Sequence, residues 1–135
     1  MQSAVGWDWI GINLFDGGSL MAFRIRDAQG NTVWRHVDWR DSQSRVLHQS
    51  YGEPEWEPTQ RWRSSRSLFE YPVGFRLRIG PRTYEIVPLM QDQEVDARAS
   101  TGGFYWEGAV TLLDRGKAIG RGYLELTGYG EALAL

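Results

Sequence analysis

Apolar and polar residues alternate with a period of two along most of this chain, and no stripe at helical spacing competes with that alternation. Residues 5–14 put Asp8, Ile10, Ile12 and Leu14 on one face and Trp7, Trp9, Gly11 and Asn13 on the other. Asp16-Gly17-Gly18 supplies the glycines that a tight hairpin with positive φ requires. Residues 20–27 then set Met21, Phe23 and Ile25 against Arg24 and Arg26, the pattern of a half-buried strand with its arginines in water. A turn at Ala28-Gln29-Gly30-Asn31 leads into a strand over residues 32–37.

The middle of the chain is less regular. One short strand is expected at residues 45–49, followed by an extended surface loop in which Glu53, Glu55 and Glu57 interleave with Pro54, Trp56 and Pro58. Alternation resumes at residues 73–79 and 83–88 across Gly80-Pro81. Residues 104–113 and 118–127 form a last hairpin around Asp114-Arg115-Gly116-Lys117. A short helix inside residues 90–102 is the one helical element expected. Eight or nine antiparallel strands with short turns predict an all-β fold, a closed barrel or a tightly folded sandwich.

Length and composition narrow the chemistry. A chain of 135 residues is one domain, residues 1–135, large enough to bury a core of its own. It has no cysteine, which excludes disulfides, thiolate zinc sites and cysteine nucleophiles. A formal charge of −2 gives no general attraction to nucleic acid, and Lys117 is the single lysine. No apolar run approaches the roughly 18 residues of a membrane helix, so no integral membrane segment is expected. The residues from Met1 show no basic region followed by an apolar one, so no signal peptide is expected in this chain, and the compartment is left open. Seven tryptophans, six tyrosines and five phenylalanines suit strands, a packed core and the wall of a cavity for an apolar ligand.

Acids are the remaining source of chemistry, and no cofactor or metal is expected. Asp8 shares a face with Ile10, Ile12 and Leu14. If that face is the interior, a desolvated carboxyl could hold a proton for an alkene or enol; the alternative is a carboxylate at the strand end or paired with an arginine. Asp92, Glu94 and Asp96 would lie on one face of an extended segment, with Arg98, Arg76 or Arg78 as partners. Glu107 shares a face with Tyr105, and Glu125 with Tyr123, but the hairpin register that would decide whether they meet is open. If they met about 5 Å apart they would resemble a glycosidase carboxylate pair, for which no sugar cleft is evident. His36 and His48 are expected on the surface or in ordinary hydrogen bonds. Arg61-Trp62-Arg63 with Arg66 could stack on nucleic acid, yet Glu53, Glu55 and Glu57 offer partners within the chain, and no nucleic acid is expected as a partner.

Several runs together resemble the C-terminal half of the AttH-like and carotenoid 1,2-hydratase family. They are Gly6-Trp7-Asp8-Trp9, Asp16-Gly17-Gly18 before Leu20-Met21, Tyr71-Pro72, Asp92-Gln93-Glu94, Tyr105-Trp106-Glu107-Gly108-Ala109 and Gly122-Tyr123-Leu124-Glu125-Leu126-Thr127-Gly128-Tyr129. The resemblance implies a lipocalin-like β-barrel, two of which stand in tandem in family members. It also implies an apolar-ligand site at the barrels and their junction, and in the hydratase branch a cofactor-free addition of water to a terminal isoprenoid double bond. The resemblance is to the second of the two barrels, and no counterpart of the first is expected in this chain. Three functions follow as expectations: a barrel binding an isoprenoid or lipid-like ligand, the C-terminal part of a hydratase-like lyase needing an N-terminal-barrel partner, or a half-domain that self-associates. Trp7, Trp9, Tyr105, Trp106 and Tyr123, with Glu125, are the expected ligand wall; Asp8 is the first expected acid and Glu107 the second.

Overall fold

The computed structural model describes residues 4–100 and 102–130. Ten strands follow one another in the chain: β1 (Gly6–Leu14), β2 (Ser19–Arg26), β3 (Thr32–Arg40), β4 (Val46–Ser50), β5 (Glu55–Arg63), β6 (Glu70–Ile79), β7 (Arg82–Pro88), β8 (Glu94–Asp96), β9 (Phe104–Asp114) and β10 (Lys117–Leu126). All pair antiparallel in one sheet of order β4-β3-β2-β1-β10-β9-β7-β6-β5, with β8 on β9. There is no helix among the described residues, so those of the segment 90–102 hold a loop and the short β8 instead of the expected helical turn.

The sheet curls into the half-barrel of a lipocalin-like fold. Side chains from its two ends meet across the interior: the Trp39 ring of β3 lies 5.1 Å from Tyr84 of β7. The Arg24 guanidinium of β2 lies 5.7 Å from the Trp56 ring and 5.6 Å from Phe75. The interior is filled rather than hollow, with Ile10, Phe75, Leu77, Ile86, Trp106, Leu112 and Leu124 wholly buried. The middle of the barrel is thereby occupied by packed side chains. The edges at β4 and β5 do not pair with each other, so the seam stays open.

Ten strands stand where eight or nine were expected, and the additions have physical causes. β5 runs through the proline-bearing stretch read as a loop. It is an edge strand, bulged between Pro58 and Gln60, and an edge tolerates a residue without an N–H. β8 is three residues long, too short for alternation to announce it.

The faces of β2 are the larger correction. Leu20, Ala22, Arg24 and Arg26 point inward and are buried, while Met21, Phe23 and Ile25 lie on the outer face. Asp8 is the reason: it sits directly opposite Arg24 in the β1–β2 ladder and draws both arginines into the interior.

The last hairpin closes at Arg115 and Gly116, both at positive φ (51° and 80°), a two-residue turn whose twist suits the strands it joins. It sets Asp114 opposite Lys117 and, after a bulge at Ala118–Gly120, Glu107 opposite Glu125.

Candidate functional site

The ladders build one continuous row across the outer face. Glu107 of β9 faces Glu125 of β10, Glu125 faces Trp9 of β1, Trp9 faces Phe23 of β2, and Phe23 faces His36 of β3. With strands 4.7–4.9 Å apart, the row spans about 19 Å. Beside it run Trp7, Ile25 and Trp34, themselves paired across β1, β2 and β3. On the other side Tyr123 faces Gly11, which faces Met21. A sheet face turned to water is ordinarily polar; this one is aromatic along its middle. Trp9, Trp34 and Tyr123 keep 36 %, 50 % and 59 % of their surface exposed.

Of the side chains expected to form the site, the structure brings Trp7, Trp9, Tyr105, Tyr123, Glu107 and Glu125 to this one face, because all are odd-numbered positions in register. It separates Asp8 and Trp106, which point into the barrel. Trp106 is wholly buried and donates its indole N–H to the Gln91 carbonyl at 2.8 Å, a core residue.

At the acidic end, Trp7 donates its indole N–H to Glu125 at 2.6 Å, fixing that carboxylate beside Glu107. Burial by the neighbouring side chains, then the Glu125 charge and a hydrogen bond to it, push the Glu107 carboxyl above the usual glutamate value. Burial and the same two carboxylates raise Tyr105 as well. Trp7, Tyr105 and Glu125 also form a wall of a cleft of about 900 Å³, completed by Phe69, Phe104 and Arg98. That volume suits a small-molecule ligand.

Behind the cleft, the inner face carries two buried carboxylates, each saturated with donors. Asp8 accepts from Arg24 Nε at 2.6 Å, Arg26 Nη1 at 2.7 Å and the Tyr129 hydroxyl at 2.7 Å. Burial and the Asp8 charge push the Tyr129 phenol well above its ordinary value. Glu94 accepts from Ser64 Oγ at 2.6 Å, Ser67 Oγ at 2.5 Å and the Tyr71 hydroxyl at 2.7 Å. The Tyr71 and Tyr129 rings lie 5.9 Å apart, so the two clusters are neighbours. Such an arrangement holds charge in place; a carboxylate whose neighbours all donate has no acceptor to which a proton could pass.

The three evenly spaced carboxylates do not act together: Asp92 and Glu94 share Arg66, and Asp96 pairs with Arg98, which holds the Asp96 carboxyl down at about 2. Elsewhere Glu57 meets Arg76, and Glu53 meets His48. Two residues at the site were not legible as such in the sequence. Phe23 was assigned inward by its polarity pattern. His36, expected on the surface or in an ordinary hydrogen bond, is 7 % exposed, its Nδ1 is buried without a hydrogen-bond partner, and the Tyr51 ring lies 4.4 Å from its own.

Comparison with known proteins bears on the family and the fold. A crystal structure of a protein assigned as AttH from Nitrosomonas europaea is similar over 95 % of the chain, with a TM-score of 0.88 and 45 % identity. Kievitone hydratase from Nectria haematococca shares the fold over 95 % of the chain, with a TM-score of 0.68 and 19 % identity. In both cases the chain spans 40 % of the length of the solved protein. No curated protein sequence matches significantly. The AttH-like family model fits residues 1–129, a span that holds every position from which the outer row and the inner charge clusters are built, and the chain therefore belongs to the AttH-like family.

Proposed function

We propose that this chain binds an elongated apolar ligand, isoprenoid or lipid-like, in the cleft beside Trp7 and Tyr105 and along the row through Trp9. The observation that carries the reading is the aromatic side of the sheet running up to the cleft, where Glu125, the ladder partner of Glu107, joins Trp7 and Tyr105 in the lining. Aromatic faces supply large apolar contact with little side-chain entropy lost. The two acids supply the few polar groups that fix orientation. An outer sheet face is convex and cannot enclose a ligand by itself. A second unit lying over it, such as an N-terminal barrel or another copy, would complete the enclosure.

The same site supports a reaction as a second reading, because Glu107 retains its proton to higher pH than an ordinary glutamate. Protonated Glu107 would give its proton to the less substituted CH carbon of a terminal trisubstituted alkene, leaving a tertiary cation on its neighbour and a carboxylate on the protein. Water would add to the cation, and its surplus proton would return to the Glu107–Glu125 pair, so that the net change is addition of one water. That a hydratase is built on this fold supports the class of reaction, though fold alone does not carry activity. Asp8 would serve behind the site as a fixed charge.

Titration of the chain with a long polyene, followed by tryptophan emission, tests the first reading. Saturable quenching weakened in Trp9→Ala and Tyr105→Ala supports it; no response across polyenes and fatty acids sinks it. For the second reading, an acyclic carotene is incubated with the chain, with and without an N-terminal-barrel protein. Hydrated product lost in Glu107→Gln is expected. Full activity in that variant, or no product in either mixture, removes the assignment.

A further inference from the structure

The far end of the outer row carries a polar atom that the protein leaves without a partner. His36 is more than nine-tenths buried, its Nδ1 reaches neither solvent nor a protein donor or acceptor, and the rings around it are Phe23 at 6.0 Å and Tyr51 at 4.4 Å. A buried imidazole nitrogen left unsatisfied costs roughly 1–3 kcal/mol, and such groups ordinarily acquire a partner. His36 also stands in line with Glu107, Glu125, Trp9 and Phe23, on the face where the ligand is placed.

We infer that His36 is the head-group anchor of this face, and that the ligand is an elongated apolar molecule ending in a hydroxyl. The inference rests on the reading that an apolar ligand lies along the row. It adds which end of the ligand is polar and which residue reads it. A neutral imidazole Nδ1 is a donor in one tautomer and an acceptor in the other. A hydroxyl satisfies it in both, whereas a carboxylate only accepts and an ammonium only donates. The apolar body then rests on Phe23 and Trp9, and its distal end reaches the glutamate pair. Tyr51, 67 % exposed, stacked on Trp34 at 6.2 Å and 4.4 Å from the imidazole ring, turns aside when the hydroxyl arrives. Its position between β4 and β5, outside either strand, lets it do so without breaking a ladder.

Farnesol and farnesene, an alcohol and a hydrocarbon of the same carbon count and isoprenoid skeleton, separate the head group from the chain. The wild-type protein should bind farnesol about fivefold to tenfold tighter, the value of one net hydrogen bond. His36→Phe should keep farnesene binding and lose that preference, and His36→Asn, which both donates and accepts, should recover part of it. The nitrogen resonances of His36 should shift with farnesol and not with farnesene. Equal affinity for the two probes in the wild-type protein, or a preference that survives His36→Phe, overturns the anchor and leaves the apolar site standing. Failure of both probes to bind the wild-type protein overturns the apolar site, and the anchor with it.

Discussion

Glu107 lies directly across the final hairpin from Glu125, and Trp7 pins the second carboxylate from the neighbouring strand at 2.6 Å. Two like charges held opposite each other favour leaving one proton on the pair. Folding fixes the pair, so the proton affinity of Glu107 is higher folded than unfolded. Its contribution to stability is therefore fully present below the ordinary glutamate value and is lost as pH rises through the raised one. Glu125→Gln removes the charge. The Glu107 carboxyl should then titrate lower than in the parent protein, keeping the part of its rise that comes from burial, in a carbon-detected NMR titration. An unchanged Glu107 midpoint in that variant would show that the two groups are not coupled.

Asp8 offers the opposite arrangement, a carboxylate whose every neighbour donates. Asp8→Asn leaves Arg24 and Arg26 buried without a counter-charge, and removing one member of a buried pair destabilises by about 3–5 kcal/mol. Urea unfolding should show a lower midpoint with an unchanged slope. Replacing all three by apolar residues should recover part of the loss, since no charge is then stranded. If Asp8→Asn unfolds like the parent protein, the inner cluster is not what holds this end of the sheet.

Alternation was enough to place eight of the ten strands, because side chains on a strand must change face at every residue. It could not say which face is the interior. For β2 the chain presents Phe23 and Ile25 on one side and Arg24 and Arg26 on the other, and hydrophobicity alone turns the arginines to water. The structure turns them inward because Asp8 is already there, a long-range contact that no local window contains. The same reversal leaves Phe23 on the outer face, where the row would otherwise be broken between Trp9 and His36. Glu107 and Glu125 were recognisable as candidates, but their meeting depended on two residues at positive φ in a turn of unknown type. His36 carried no local signal at all; its burial comes from Tyr51, in the connection beyond the next strand.

Glu53 closes the open seam where no ladder does. One of its oxygens meets His48 Nε2 of β4 at 2.6 Å, and the other accepts the Gly80 N–H of the β6–β7 turn at 2.5 Å. The hydrogen bond to His48, then the Gly80 N–H and the charges of His48 and Arg78, outweigh its burial and lower its carboxyl below the usual range. A lowered carboxyl stabilises the fold above its unfolded value, and that stability is lost as pH falls through the folded one. Glu53→Gln should flatten the acid side of the stability profile by under about 1 kcal/mol, because the pair is partly open to water. Hydrogen exchange at the Gly80 amide should quicken in the same variant. An exchange rate equal to that of the parent protein would rule out the clip.

Trp9 sits at the middle of the outer row because Gly11 has no side chain. The indole folds down over the Gly11 backbone, and a Cβ placed there would collide with the far edge of the ring. That collision is with the end of a mobile side chain, so Gly11→Ala should leave the β1–β10 ladder intact and tilt the ring off the sheet. Gly122 is the contrasting case: there an added Cβ meets the Gly11 and Ile12 backbone, which cannot move aside. Gly122→Ala should therefore destabilise the sheet by about 1–3 kcal/mol, whereas Gly11→Ala should change ligand affinity more than stability. The comparison needs polyene titration and thermal unfolding of both variants. If Gly11→Ala binds the polyene as the parent protein does, Trp9 is not part of the ligand surface, and the row ends at Glu125.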